Sequence, residues 1–267
     1  MIYSTTQNKV KNLIIKTLRA VAVTALWVLV WDIAAILASR NNELMLLLLP
    51  RPVTVFEKWL EIAFTSEFLM AVARSLSRIF SGFIIGIVCG TLAGLLTSAL
   101  KLADWILSPL LKMIRAVPVV AITILFFSLF KSDALPVTIV ALMVTPLMWQ
   151  TVHDGMLRPD KKLCEMAKVY KLSTAKTFYY VRLPQVLPSF ITAGVNALGL
   201  AWKSGIAAEV ICEPSVALGT ILMQGKGMID FSAVYAVTLT VVILSLVIEV
   251  LLKGFCRKLE KGEVKND

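Results

Sequence analysis

Charge is what this sequence has least of. Only 16% of its 267 residues are Asp, Glu, Lys or Arg, while 58% are apolar; soluble domains run nearer 25% and 45–50%. That is too little polar surface for a soluble globule, so the chain reads as an all-α, polytopic membrane protein. His153 is the single histidine, which excludes a histidine-based metal cluster. The four cysteines, Cys89, Cys164, Cys212 and Cys256, are scattered without a Cys-x-x-Cys pair. Neither a metal site nor a disulfide framework follows. With one histidine and no clustered acids, a membrane-embedded enzyme would lack an evident general base. The inverted repeat and intramembrane acid or histidine relays of a secondary transporter or channel are also missing. No Gly-x-x-x-x-Gly-Lys-Ser/Thr segment cradles a nucleotide here.

What is present is a set of apolar runs with basic ends. A spanning helix takes about 20 residues, so the chain has room for about six spans and short loops. The net charge of +10 sits at the ends of those runs, as topology-setting lysines and arginines do. No basic–aromatic interleave points to nucleic acid. Residues 1–19 form a basic cytoplasmic tail, and residues 20–71 a first span and an external segment. The apolar run from Ala20 to Ala38 is longer than a signal-peptide core, and an uncleaved span is the favoured reading. Asp32 inside it should face protein or lie near the outer interface. Pro50-Arg51-Pro52 is a rigid joint, followed by a surface helix over Val53 to Phe64.

Residues 72–252 form the core. In the second span, Val72 to Ser98, Gly82, Gly86, Gly90 and Gly94 recur every fourth residue, which lets another helix approach closely. Pro109, Arg115 and Pro118 interrupt the next run. A straight span from Asp104 would bury Arg115 about 16 Å deep. The alternative, which we prefer, is an interfacial helix to about Lys112 with the span running from Ala116 to Phe130. A short outer turn at Lys131 to Ala134 leads to the fourth span, Leu135 to Thr151. The fifth runs from about Leu187 to Ile211 and the sixth from Phe231 to Leu252, followed by a basic cytoplasmic tail, 253–267.

Between the fourth and fifth spans lies a basic segment, 153–184. Apolar residues at helical spacing within it (Ala167, Tyr170, Leu172, Phe178, Val181) predict two short helices joined by a turn. Leu183-Pro184 is expected to punctuate them. This is a docking surface for a soluble partner. Within the fifth span, Lys203 beside Trp202 is expensive in lipid and therefore a functional candidate. It either snorkels or pairs with an acid such as Glu209 of a neighbouring chain, or it offers positive potential to an anionic solute. Trp149, Gln150, Asn196 and Ser204 are weaker candidates for the same path.

Together these residues resemble a binding-protein-dependent ABC importer permease. The family's cytoplasmic signature is Glu-Ala-Ala, three residues, Gly, nine residues, Ile-x-Leu-Pro. Here Glu165-Met166-Ala167 and Val181-Arg182-Leu183-Pro184 stand at the same spacing. The second Leu-Pro (Leu187-Pro188), Ser75-Leu76-x-Arg78 with Gly82, Arg115-x-x-Pro118, and Ala201-Trp202 followed by Ala208-Glu209 resemble the nitrate/sulfonate/taurine branch. The resemblance implies a type I importer permease fold with a cytoplasmic coupling helix. It assigns Glu165, Met166, Ala167, Tyr170, Lys171, Leu183 and Pro184 to contact with a separate ATPase, which alone would hold ATP and magnesium. It further implies a multi-pass protein of the bacterial inner membrane with both termini inside. The partners would be an ATPase dimer, an external binding protein, membrane lipid and a second permease copy. The solute would be a small anion or sulfonate, or alternatively a thiamine-precursor pyrimidine. Two positions depart from the signature, Met166 for Ala and Lys171 for Gly. Either Lys171 bears left-handed strain of roughly 1 kcal/mol, or the turn is built differently, with Ser173 capping the second helix.

Overall fold

Lipid leaves helices as the economical way for a single segment to satisfy its own backbone. The computed structural model describes residues 2–41, 43–129 and 133–263, and every regular element among these described residues is helical. Phe130, Lys131 and Ser132, expected to end the third span and open the outer turn, lie outside the described residues. So do Met1 and the last four residues of the basic tail. Five described helices are long and apolar enough to cross a membrane, and a bent pair counts as a sixth. Contacts divide the chain into two compact units.

The first unit holds the chain up to Phe64 together with Gln224–Val237. It contains α1 (Ile2–Asn41), α2 (Glu43–Leu48) and α3 (Pro52–Ala63). The apolar residues of α1 are largely exposed, Trp27 at 68% and Leu18 at 62%, far more than a surface facing water carries. Asp32 is answered within the unit. Arg51 donates from Nε to Oδ1 at 2.9 Å and from its terminal nitrogen to Oδ2 at 3.0 Å. This two-pronged pairing is the geometry a guanidinium makes best, and the Pro50-Arg51-Pro52 joint presents it. Pro52 then opens α3, where its missing N–H costs nothing.

The second unit comprises Thr65–Met223 and the chain from Thr238 onward. It contains α4 (Ser66–Ala99), α5 (Lys101–Ala116), α6 (Val119–Phe127), α7 (Leu135–Leu157), α8 (Lys161–Val169), α9 (Thr174–Thr177), a π-turn (Phe178–Arg182) and α10 (Leu183–Cys212). Two further helices, α11 (Leu218–Gly227) and α12 (Phe231–Glu263), run across the division between the units. The glycine stripe of α4 packs on α7. A Cβ on Gly82 would stand 2.6 Å from the Val137 carbonyl oxygen, and one on Gly90 2.5 Å from that of Thr145. Val140, Val144, Met148 and Val152 of α7 fill the stripe. From α10, Gly205 lies so close that a Cβ would meet Ile79 of α4 at 2.5 Å. These three helices are the core of the unit.

Two expectations need correction. In the third apolar run the two expected helices are present, but the first continues to Ala116 rather than ending near Lys112, and the second is Val119–Phe127. These helices, α5 and α6, are bent by 102°, and the break falls at Val117, held extended (φ −79°, ψ 131°) ahead of Pro118. Steric clash with a following proline ring disfavours the helical region at that position. Pro184 likewise does not end the basic segment. A continuous helical stretch runs from Thr174 to Cys212, with Pro184 at the start of α10. The proline has no N–H for the Tyr180 carbonyl, and its ring crowds that oxygen. The ladder widens instead, and the Leu183 N–H bonds to the Phe178 oxygen five residues back.

Candidate functional site

The basic segment folds as two short helices with a turn, α8 and α9, followed by the π-turn. Asp160 caps α8 by accepting from the Lys162 N–H at 2.8 Å, and its own N–H donates to Gln185 Oε1 at 2.7 Å. The α8 terminus is a Schellman motif. Lys171 N–H bonds to the Lys168 oxygen at 3.0 Å and Leu172 N–H to the Ala167 oxygen at 2.9 Å. Lys171 takes the left-handed conformation, φ 49°, which is the geometry the family's glycine would adopt freely. Ser173 caps α9, accepting from Lys176 N–H at 3.4 Å. Strain and cap therefore occur together rather than as alternatives. Ala167 turns inward, 4% exposed, whereas Met166 (53%), Val169 (78%) and Tyr170 (74%) project outward. Glu165 and Lys171 are also exposed. This leaves a bare apolar rim amid lysines, presented on a stiff turn.

Five of the six candidate path residues fall into two cavities; the sixth, Ser204, is buried and donates to the Ala201 oxygen at 3.3 Å. One cavity, of about 500 Å³, lies between α10 and α12 and is lined by Asn196, Trp202 and Lys203 with Ser245 and Glu249. Trp202 is buried there, its Nε1–H donating to the Val241 oxygen at 3.2 Å. The other, about 440 Å³, lies between α5 and α7. Trp149, Gln150, His153 and Asp154 face Asp104, Ser108, Lys112 and Arg115 across it. Here Arg115 donates to Gln150 Oε1 and Ser108 to Asp104 Oδ1. Thr97 Oγ1 gives its proton to the Ala93 oxygen at 2.9 Å and receives the Trp149 Nε1–H at 2.9 Å. His153 Nδ1 is hydrogen-bonded to the same hydroxyl at 2.9 Å. Its Nε2 faces Asp104 at 3.7 Å.

A third cluster joins motif pieces that no sequence spacing connects. Glu209 of α10, fully buried, accepts from Ser75 Oγ of α4 at 2.7 Å and stands 3.5 Å from Arg78. Ser75 Oγ in turn accepts the Leu218 N–H at 3.0 Å. Arg78 donates to the Val216 oxygen at 2.8 Å and to Asp133 at 2.7 Å. The segment after α10 is thereby clamped to α4. Ser75-Leu76-x-Arg78 and Ala208-Glu209 were legible as motifs, but their meeting was not.

Residues 82–261 match the family described as "Binding-protein-dependent transport system inner membrane component". A probable ABC transporter permease protein of Brucella abortus (strain 2308) is 27% identical over 80% of this chain and 86% of its own length. The putative aliphatic sulfonates transport permease protein of Escherichia coli (strain K12) is 33% identical over 75% and 77%. The taurine transport system permease protein of the same strain is 25% identical over 82% of each. Among solved structures, an amino acid ABC transporter superposes with a TM-score of 0.64, at 19% identity, over 74% of this chain and 96% of that one.

Proposed function

We propose, for a chain that belongs to the binding-protein-dependent transport system inner membrane component family, how the work of import is divided along it. It is the permease subunit of an ABC importer of the nitrate/sulfonate/taurine branch, a multi-pass inner-membrane protein with a type I permease fold. ABC importer permeases work with an ATPase and a binding protein. In this chain, the segment from Lys161 to Pro184 receives the ATPase. Tyr170, Met166 and Val169 offer apolar surface, Glu165 offers a charge, and Lys171 fixes the turn that presents them. ATP and magnesium stay on the partner. The observation that carries this reading is the exposed Met166–Tyr170 rim on a turn closed by the Lys171 and Leu172 N–H bonds back into α8. A rigid rim transmits a push. Because Thr174 to Cys212 is one continuous helical stretch, displacement of α9 passes directly into a core helix. Such rigid-body transmission between two packings is how switching assemblies move.

Both termini lie in the cytoplasm on this reading, as the basic ends favour, and a second copy of the chain with surrounding lipid covers the exposed apolar faces. The solute is a small anion or sulfonate, a reading supported by the relatives named for aliphatic sulfonates and taurine. The two polar cavities are the candidate stations along its path.

Co-purification tests the assembly. Tagged wild-type chain, co-expressed with its ATPase, should retain that ATPase. The pair Met166→Asp/Tyr170→Ala should lose it while still inserting in the membrane. Retention by the double variant would remove the rim from the contact.

A further inference from the structure

Four polar residues of α5, Asp104, Ser108, Lys112 and Arg115, are spaced 4, 8 and 11 residues from the first and all line the cavity against α7. That spacing puts them on one stripe of the helix. The opposite face carries Leu102, Trp105, Ile106, Leu110 and Met113, all exposed, so α5 is amphipathic. The charges on the stripe are sorted by sign. Asp104 lies at one end, taken up by the Ser108 hydroxyl and the His153 edge. Lys112 and Arg115 lie about 12 and 16 Å further along at the helical rise, just before the Val117-Pro118 break. Gln150 takes one of the five N–H donors of Arg115 and aims the guanidinium. Asp154, one helical turn beyond Gln150 on α7, is the second acid of the lining, so the cavity holds two carboxylates and two cations.

From this arrangement we infer that Lys112 and Arg115, with Gln150 as the positioning residue, form the oxyanion-recognising end of the α5–α7 cavity and receive the anionic group of the transported solute. The proposal rests on the anion reading above and names the residues that serve it. A guanidinium fork matches two oxygens of a carboxylate, nitrate or sulfonate, and the ammonium adds a point charge. The cavity of about 440 Å³ has room for a small solute behind that group. Its wall is α7, whose apolar window is 56% buried, so the site stands against the core of the unit. Lys203 is placed differently. Its cavity contains Glu249, and the other wall is α12, whose window is only 11% buried.

The test uses the complete importer (this chain, its ATPase and its binding protein) in phosphatidylcholine vesicles. Initial uptake of labelled ethanesulfonate, taurine and nitrate is measured at saturating binding protein. For whichever anion the wild type takes up, Arg115→Gln should lower the maximal rate about tenfold or more, the worth of one charge-assisted hydrogen bond. Lys112→Gln should lower it less, and Arg115→Lys should keep part of the rate. Stimulation of ATP hydrolysis by the binding protein should persist in Arg115→Gln, which a merely structural role for Arg115 would not predict. If the wild type takes up none of the three, the anion reading and this site fall together. If it takes one up and Arg115→Gln does so equally fast, the anion reading stands and the site is overturned. A defect appearing only when anionic lipid is added to the vesicles would assign the cations to lipid phosphate instead, and would also overturn it.

Discussion

Lys171 shows how a single residue departs from a family pattern without breaking it. The Schellman bonds at the end of α8 require a left-handed residue, and Lys171 adopts φ 49° at roughly 1 kcal/mol. Lys171→Gly should therefore firm the turn, raising hydrogen-exchange protection of the Leu172 N–H by about fivefold; unchanged or lower protection would show that the lysine is not strained. Gly90 sits at the opposite extreme, where a Cβ would press to 2.5 Å from the Thr145 oxygen. Backbone cannot yield as a flexible side chain can, so Gly90→Ala should cost roughly 1–3 kcal/mol, seen as a lowered thermal midpoint in detergent. Gly194, with nothing within 4 Å, is the control. Gly194→Ala should be neutral or slightly stabilising, since alanine favours a helix over glycine. At this scale the sequence foretold the Lys171 problem and the glycine stripe, because both follow from local period and backbone. It could not foretell that Arg51 answers Asp32, because nothing in a local pattern links residues 19 positions apart.

Elements were legible where they obey one period and illegible where proline acts by position. The two short helices of the basic segment came from spacing alone. The third apolar run was readable as interrupted, since Pro118 forces its neighbour extended, but a bend of 102° is a property of packing. Pro184 looked like a stop and proved to be a first-turn residue, with the preceding ladder opened into a π-turn. Removing that cause should remove the effect. Pro184→Ala restores an N–H for the Tyr180 carbonyl, lets the turn tighten and rotates α9 against α10. Uptake should then fall severalfold while ATPase binding persists; normal uptake would mean that the widened turn has no part in transmission. The clamp of Glu209, Ser75 and Arg78 is an element-scale feature of another kind, tying the segment after α10 to α4. Truncation at Glu209→Ala leaves the Arg78 guanidinium without its buried counter-charge. It should cost roughly 3 kcal/mol or more in a chemical unfolding titration, and Glu209→Gln should cost less because it can still accept from Ser75.

For the molecule as a whole, composition alone gave an all-helical membrane protein, and the signature spacing gave the family. The cavities were beyond reach of the sequence. Trp149, Gln150, Trp202, Lys203 and Asn196 all read as one path, and folding put those of α7 and those of α10 in two separate cavities. The central claim is that the rim on α8 is where ATP hydrolysis is coupled to transport. It is tested most directly in vesicles holding this chain with its ATPase, by measuring how far the external binding protein stimulates ATP hydrolysis. Wild type should be stimulated, and Met166→Asp/Tyr170→Ala should show no stimulation, with its helical content and membrane insertion unchanged. Full stimulation of that double variant would contradict the claim.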